Sequence, residues 1–384
     1  MSSRDASDSS LPLSDEAVAF QWLTEAIRQP EGDPPAIPPV SSETAMRVAE
    51  FHRFEGCAIN AWRTRCQLDG LAEPDTLKPA ARDLAMATLA WSKLLGELID
   101  TLSEANVHAI PIKGPVLVDM ARSDGSLRRF WDLDLLIPIE TIDDARAALA
   151  RLGFEDELPI RLDLMRLWHR IDYEWSMVRA SDGVRLELHF RLFQQYISPG
   201  MPMQDVFARS THVELAGRTW PVLSPEDNIL FLCVHGGKHT WDRLRLVADL
   251  RGVLKHGPPV DVERLVAMAD DLGFRRFLAI GMWVADQYDP LPDGELARLA
   301  TSDTVAVELG REFIAAWPTC TGGPRDRDLY GTLAKCRERR RDRWRMYGLI
   351  AVQSTPPDWE WLRLPPVLHW AYPLVRLARL ALRQ

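Results

Sequence analysis

The spacing of apolar residues changes twice along this chain, near Val107 and again after Ser224, and that double change restricts the fold more than any other feature. A helix wants an apolar residue every three to four positions and a half-buried strand wants one every two, so the patterns are not interchangeable. Residues 15–28, 43–66 and 79–105 carry helical spacing, with Ala and Leu prominent in ARDLAMATLAWSKLLGELIDTL. Five prolines in QPEGDPPAIPPVSSET interrupt the pattern between the first two of these segments. From Val107 onward VHAIPIKGP and FWDLDLLIPIE read as strands, linked by a short helix and the turn SDGS. TIDDARAALARLGF reads as a helix that starts at Thr141, with Asp144 completing an approximate capping box, and stops at Gly153. IDYEWSMVRA and VRLELHFRLF follow as two strands joined in a hairpin by Ser181-Asp182-Gly183. Ser224-Pro225-Glu226-Asp227 then opens a helix, with Ser as cap and Pro in the first turn, and helical spacing persists almost to the end.

The predicted architecture is α+β. A small mixed β-sheet core occupies 106–222, preceded by a flexible segment with a short helix and proline-rich linker at 1–42 and a helical layer at 43–105. A C-terminal helical domain fills 223–384. No fixed-period repeat is present, which excludes solenoids and propellers. Apolar residues at 46% and charged ones at 26% exclude a wholly disordered or collagen-like chain.

A net charge of -9 gives the molecule as a whole no electrostatic reason to coat nucleic acid or anionic membrane, so any such binding must come from a local patch. One candidate lies between Lys335 and Arg345, where seven basic residues face two acidic ones. The same alternation of Arg with Glu338, Asp342 and Trp344 also describes an ordinary solvated helix face. The C-terminal HWAYPLVRLARLALRQ is amphipathic and basic, a pattern that suits either a membrane surface or the core, and it is expected to pack on the core. No stretch is apolar for long enough to span a bilayer, and MSSRDASDSSLPLSDE has no apolar core of the kind a secretory signal needs. The five cysteines are odd in number, far apart and never CxxC, which argues against a disulfide framework or thiolate zinc site and points to a reducing, cytoplasmic compartment.

Alternate side chains of a strand share a face, so in Trp131-Asp132-Leu133-Asp134-Leu135-Leu136 the two aspartates project together and the leucines project into the opposite layer. At roughly 4 Å and an effective dielectric near 20, two such carboxylates repel by about 4 kcal/mol. A divalent cation removes that cost, and Mg²⁺, or Mn²⁺, binds hard carboxylate oxygens while keeping positions open for phosphate. Glu187 in Leu186-Glu187-Leu188-His189 offers a third carboxylate, as ligand or as the base for an incoming hydroxyl, with His189 on the same face. Lys113-Gly114-Pro115 ends one strand and opens a helix, a place where backbone amides and a lysine charge attract phosphate. Arg128, four residues before Asp132, is expected to hold phosphate oxygens in a fork.

Lys113-Gly114, Arg128, Asp132-Leu133-Asp134-Leu135-Leu136, Gly153-Phe154 and Glu187-Leu188-His189, in that order, resemble the family described as uncharacterised bacterial nucleotidyltransferases of the polymerase-β-like superfamily. Pro225-Glu226-Asp227, His235, Lys238-His239, Trp241, Leu244 and Asp249 are similar to that family's second block, and with the terminal Pro-Pro-Asp and Leu-Pro-Pro the resemblance covers roughly residues 45–384. It implies a nucleotidyltransferase core at 106–222 that moves a nucleoside monophosphate from a nucleoside triphosphate such as ATP to an acceptor, releasing pyrophosphate with the aid of Mg²⁺. It also implies Asp132, Asp134 and Glu187 at the metal and Lys113, Gly114 and Arg128 at the triphosphate. Where the wider superfamily usually has Gly-Ser or Gly-Gly after the first strand, this chain has Lys113-Gly114-Pro115 and no hydroxyl.

His235 and His239 stand at the spacing of a zinc-protease helix, but HGGKH lacks the glutamate base and its glycines weaken a helix. Lys238 and His239 are expected instead to contact nucleotide or acceptor from the helical domain, or to pack at the domain junction. Acceptor candidates are a small hydroxylated or amino-bearing metabolite, a peptide or protein hydroxyl, and an RNA 3' end. The rival from another class is a non-catalytic nucleotide-binding or scaffold protein that keeps the fold without turnover.

Overall fold

Strand-forming and helix-forming stretches separate in space as they do along the chain. The computed structural model describes residues 13–28, 33–121, 128–158, 162–197, 201–292, 294–319 and 326–382. The SDGS turn at 123–126, the first twelve residues, part of the proline-rich linker and Cys320 lie outside the described residues.

Five strands, β1 (Ile110–Pro111), β2 (Asp132–Leu136), β3 (Phe154–Asp156), β4 (Glu174–Arg179) and β5 (Arg185–His189), form one sheet in the order β1-β2-β5-β4-β3. β2 and β5 run parallel and the other neighbours antiparallel. The β4–β5 hairpin turns where expected, with Gly183 at φ 73°, a value only glycine adopts cheaply. A separate hairpin pairs β6 (Thr211–Leu215) with β7 (Arg218–Val222).

Before the sheet come α1 (Asp15–Arg28), α2 (Ser42–His52), α3 (Glu55–Asp69) and α4 (Leu77–Glu104). Between strands lie α5 (Pro115–Ala121), α6 (Ile142–Ala150), α7 (Met165–Ile171) and α8 (Met203–Arg209). After it follow α9 (Pro225–Lys238), α10 (Leu244–His256), α11 (Val262–Leu272), α12 (Arg275–Tyr288), α13 (Glu295–Ala300) and α14 (Thr304–Ala315). The chain closes with α15 (Asp326–Lys335), α16 (Arg340–Val352), α17 (Pro356–Trp361) and α18 (Tyr372–Leu382). The fold is thus mixed α+β, a small sheet between helical flanks, as the two changes of period require.

One apolar core runs from α1 through the sheet to α18. His52 pins the N-terminal layer to the C-terminal helices: its Nδ1 accepts from the Leu244 amide (3.2 Å) and its Nε2 lies 3.1 Å from the Trp317 carbonyl. Burial pushes this imidazole down to about 4, against the hydrogen bond to Trp317. Trp317 Nε1 in turn donates to the Trp241 carbonyl (2.6 Å).

Two local expectations are corrected and a third, the packing of the C-terminal helix on the core, holds with its orientation added. Thr141 precedes α6 but does not cap it: its hydroxyl donates to the Pro138 carbonyl (2.8 Å), because a short 3₁₀ turn, Ile139–Thr141, leads into the helix. In the basic stretch 335–345, Arg337 is buried over the Phe274 ring and, with Arg339 and Arg343, donates to backbone carbonyls, so Lys335, Arg340, Arg341 and Arg345 carry the exposed charge. The C-terminal helix packs on the core by its charged side, not its apolar one, because Asp358 is buried beneath it. No helix among the described residues is long and apolar enough to cross a membrane.

Candidate active site

The alternation in β2 and β5 sends Leu133, Leu135, Leu186 and Leu188 into the core, each essentially inaccessible to water. Their neighbours Asp132, Asp134, Glu187 and His189 therefore emerge on the other face. Register does the rest. Across the parallel pair Asp134 stands opposite Glu187, and across the antiparallel pair His189 stands opposite Glu174 of β4. Ligand atoms of Asp134, Glu187 and His189 all lie within 4.8 Å of one another. Asp132, one pleat along, lies outside that cluster and lines a cavity of about 190 Å³ together with Glu187 and His189.

Positive charge comes from three directions. Lys113 Nζ sits 2.5 Å from Asp134 Oδ1, and His189 Nε2 sits 3.1 Å from the same oxygen, 3.4 Å from Glu187 Oε2 and 3.6 Å from Glu174 Oε2. From the far wall Lys238 Nζ donates to Tyr173 Oη (3.2 Å). Burial works against charge on Asp134, but Lys113 and His189 outweigh it and hold the carboxyl well below its ordinary range. Burial likewise opposes the His189 imidazolium, and the carboxylates around it win, pushing it up to about 9. Asp132 and Glu174 are raised, chiefly by burial and then by neighbouring acids, with Lys113 pulling the other way on Asp132 and His189 on Glu174. Lys238 is lowered by burial and by Lys113.

The HGGKH segment explains how α9 reaches the cleft. A Cβ on Gly236 would lie 2.5 Å from the Trp241 ring, and one on Gly237 would lie 2.5 Å from the Phe277 ring. The glycine pair thus lets α9 pack against these aromatics on one side while His235, Lys238 and His239 line the cavity on the other. At the opposite end Gly114 takes φ 77° and would place a Cβ against Leu133, so the turn from β1 into α5 stays tight beneath Lys113.

Residues 38–288 match the family described as uncharacterised nucleotidyltransferase. The chain belongs to that family. No curated protein and no solved structure matches. The family makes this nucleotidyltransferase an enzyme that transfers phosphorus-containing groups.

Of the residues singled out in its sequence, the structure brings Lys113, Asp132, Glu187, His189, Lys238 and His239 around one cavity, with Asp134 held beside it by Lys113 and His189. Arg128 is placed differently. Its guanidinium is buried, Nη1 donates to Asp249 Oδ1 (2.7 Å), and its backbone amide and carbonyl both bond Thr88 Oγ1. Nε and Nη2 have no hydrogen-bond partner among the described residues, and Arg128 lines a small pocket with Lys113, Gly114 and Arg245. Four residues of the nucleotidyltransferase escaped the sequence reading: Glu174, Tyr173, His235 as a cavity wall, and Arg245. A glutamate at a strand start and an arginine in an amphipathic helix carry no motif, and only the β4–β5 register and the α9–α10 turn aim them here.

Proposed function

We propose that this nucleotidyltransferase moves a nucleoside monophosphate from a nucleoside triphosphate to an acceptor, with Mg²⁺ or Mn²⁺ held by Asp132, Asp134 and Glu187. The observation that carries the proposal is the registered pair Asp134–Glu187 on adjacent parallel strands, with Lys113 against Asp134 and with Asp132, Glu187 and Lys238 lining one polar cavity. The donor set fits the ion: hard carboxylate oxygens from two strands, whose charge Lys113 and the His189 imidazolium only partly offset. When bound, the ion supplies charge neutralisation at the phosphates and at the attacking oxygen.

The chain's own groups supply the rest. Lys113 and the backbone at Gly114 hold the triphosphate, with Arg128 and Arg245 lining the same pocket. Glu187 takes the proton from the acceptor hydroxyl as its oxygen attacks the α-phosphorus, the bond to the β-phosphate breaks and pyrophosphate leaves. His189 stays protonated and orients Asp134. Lys238 and His239, on the α9 wall, contact nucleotide or acceptor.

The test is incubation with each α-labelled nucleoside triphosphate, Mg²⁺ or Mn²⁺, and fractionated small molecules, proteins and RNA. Label transfer with pyrophosphate release that disappears in Asp134→Asn and Glu187→Gln supports the proposal. Tight triphosphate binding without pyrophosphate release in every fraction supports the rival, a fold retained for binding alone.

A further inference from the structure

The last helix is mounted inside out. Arg379 Nε donates to Asp358 Oδ1 at 2.5 Å, Arg376 donates to Asp358 Oδ2 at 3.4 Å and to the Ile350 carbonyl at 3.0 Å, and Tyr372 and Val375 complete the buried side. Since positions three and four apart share a helix face, the opposite side of α18 carries Leu374, Leu377, Ala378 and Ala381, all exposed. The 3₁₀ turn Pro366–Ala371, which packs against α18, adds Val367 and Trp370, 79% and 72% accessible. Leaving such a surface in water forfeits hydrophobic stabilisation that a half-turn rotation would recover. The two arginines locked on Asp358 prevent that rotation, so the outward face is a product of the packing.

We infer that this face is a docking surface for an anionic lipid bilayer, on which the enzyme sits peripherally. Charge selects the occupant. No acidic residue occurs from Trp361 to the C-terminus, and Arg363 in that stretch is exposed, as are Arg340, Arg341 and Arg345 of α16, against which α18 packs. A second copy docked through the same face would set the arginines of one copy against those of the other, with no acid from Trp361 onward to receive them. A bilayer with anionic headgroups offers charge to the arginines, hydrocarbon to the leucines and an interfacial layer that suits tryptophan. The chain's overall charge of -9 opposes the approach, so binding rests on this local patch.

The experiment floats the full-length protein with vesicles of phosphatidylcholine alone and of phosphatidylcholine mixed with phosphatidylglycerol. Binding to the anionic vesicles is expected to exceed that to neutral ones by about tenfold and to weaken in high salt. Leu374→Glu with Leu377→Glu, and separately Trp370→Ser, are expected to lower vesicle affinity about tenfold or more, while circular dichroism stays unchanged because all three side chains are exposed. Arg363→Glu is expected to reduce the preference for anionic lipid only. Absence of wild-type binding to either vesicle, equal binding by the double variant, or a concentration-dependent dimer in sedimentation that the double variant abolishes would each overturn the inference.

Discussion

Four buried aspartates among the described residues are held by cations, and two of them, Asp358 and Asp134, are finished differently. Asp358 is completely enclosed: Oδ2 accepts from the Thr355 amide (2.7 Å) and hydroxyl (2.9 Å) and from Arg376, and Oδ1 accepts from Arg379. Asp134 has Lys113 and His189 both on Oδ1, and beside it lies a cavity lined by further acids, Asp132, Glu174 and Glu187. A carboxylate whose lone pairs are filled from its own chain holds helices together. One whose neighbours are left short of positive charge is prepared for something that arrives.

Cutting the closed cluster is expected to have the larger effect. Asp358→Ala leaves Arg376 and Arg379 without their carboxylate and is expected to lower stability by about 3–5 kcal/mol in urea titrations, with transfer per folded molecule unchanged. Asp134→Asn inverts that outcome: nucleotidyl transfer falls about a hundredfold or more, and the urea midpoint moves far less than for Asp358→Ala. Between the two stands Gly236→Ala, whose Cβ would meet the Trp241 ring at 2.5 Å. It is expected to cost about 1–3 kcal/mol and, by shifting α9, to raise KM for the triphosphate.

The smallest effects are in pH, and they separate the fold from the site by sign. His52 has its folded value lowered from 6.5 to about 4, so its contribution is complete above 6.5 and is lost as pH falls through 4. His189 has its value raised from 6.5 to about 9, so its contribution is complete below 6.5 and is lost as pH rises through 9. Thermal melts of the metal-free protein are expected to show a flatter acid limb in His52→Gln and a flatter alkaline limb in His189→Gln. An acid limb unchanged in His52→Gln would disprove the role given to that joint.

What the residues reveal on their own follows the same division. The change to two-residue spacing marked the sheet, and Asp132, Asp134 and Glu187 were legible because leucines alternate with them. Contributions that depend on register or on rotation about a helix axis were not. Glu174 joins the site only because β4 pairs with β5 so that it faces His189. Arg128 looked like a phosphate ligand by its distance from Asp132, yet Asp249 on a helix 121 residues away turns it inward. The pattern of α18 showed that one side is apolar and could not show which side packs, since the decision rests with Asp358 on a different element.

The pairing of Lys113 with Asp134 has a consequence for amine chemistry. An ammonium whose proton is secured by a carboxylate is no nucleophile, whereas Lys238, lowered by burial and by the charge of Lys113, yields its proton more readily. An acylating reagent small enough to enter the cleft is therefore directed to Lys238 first. Lys113 stays silent until another cation relieves it at Asp134, and its acylation then reports that the exchange has taken place.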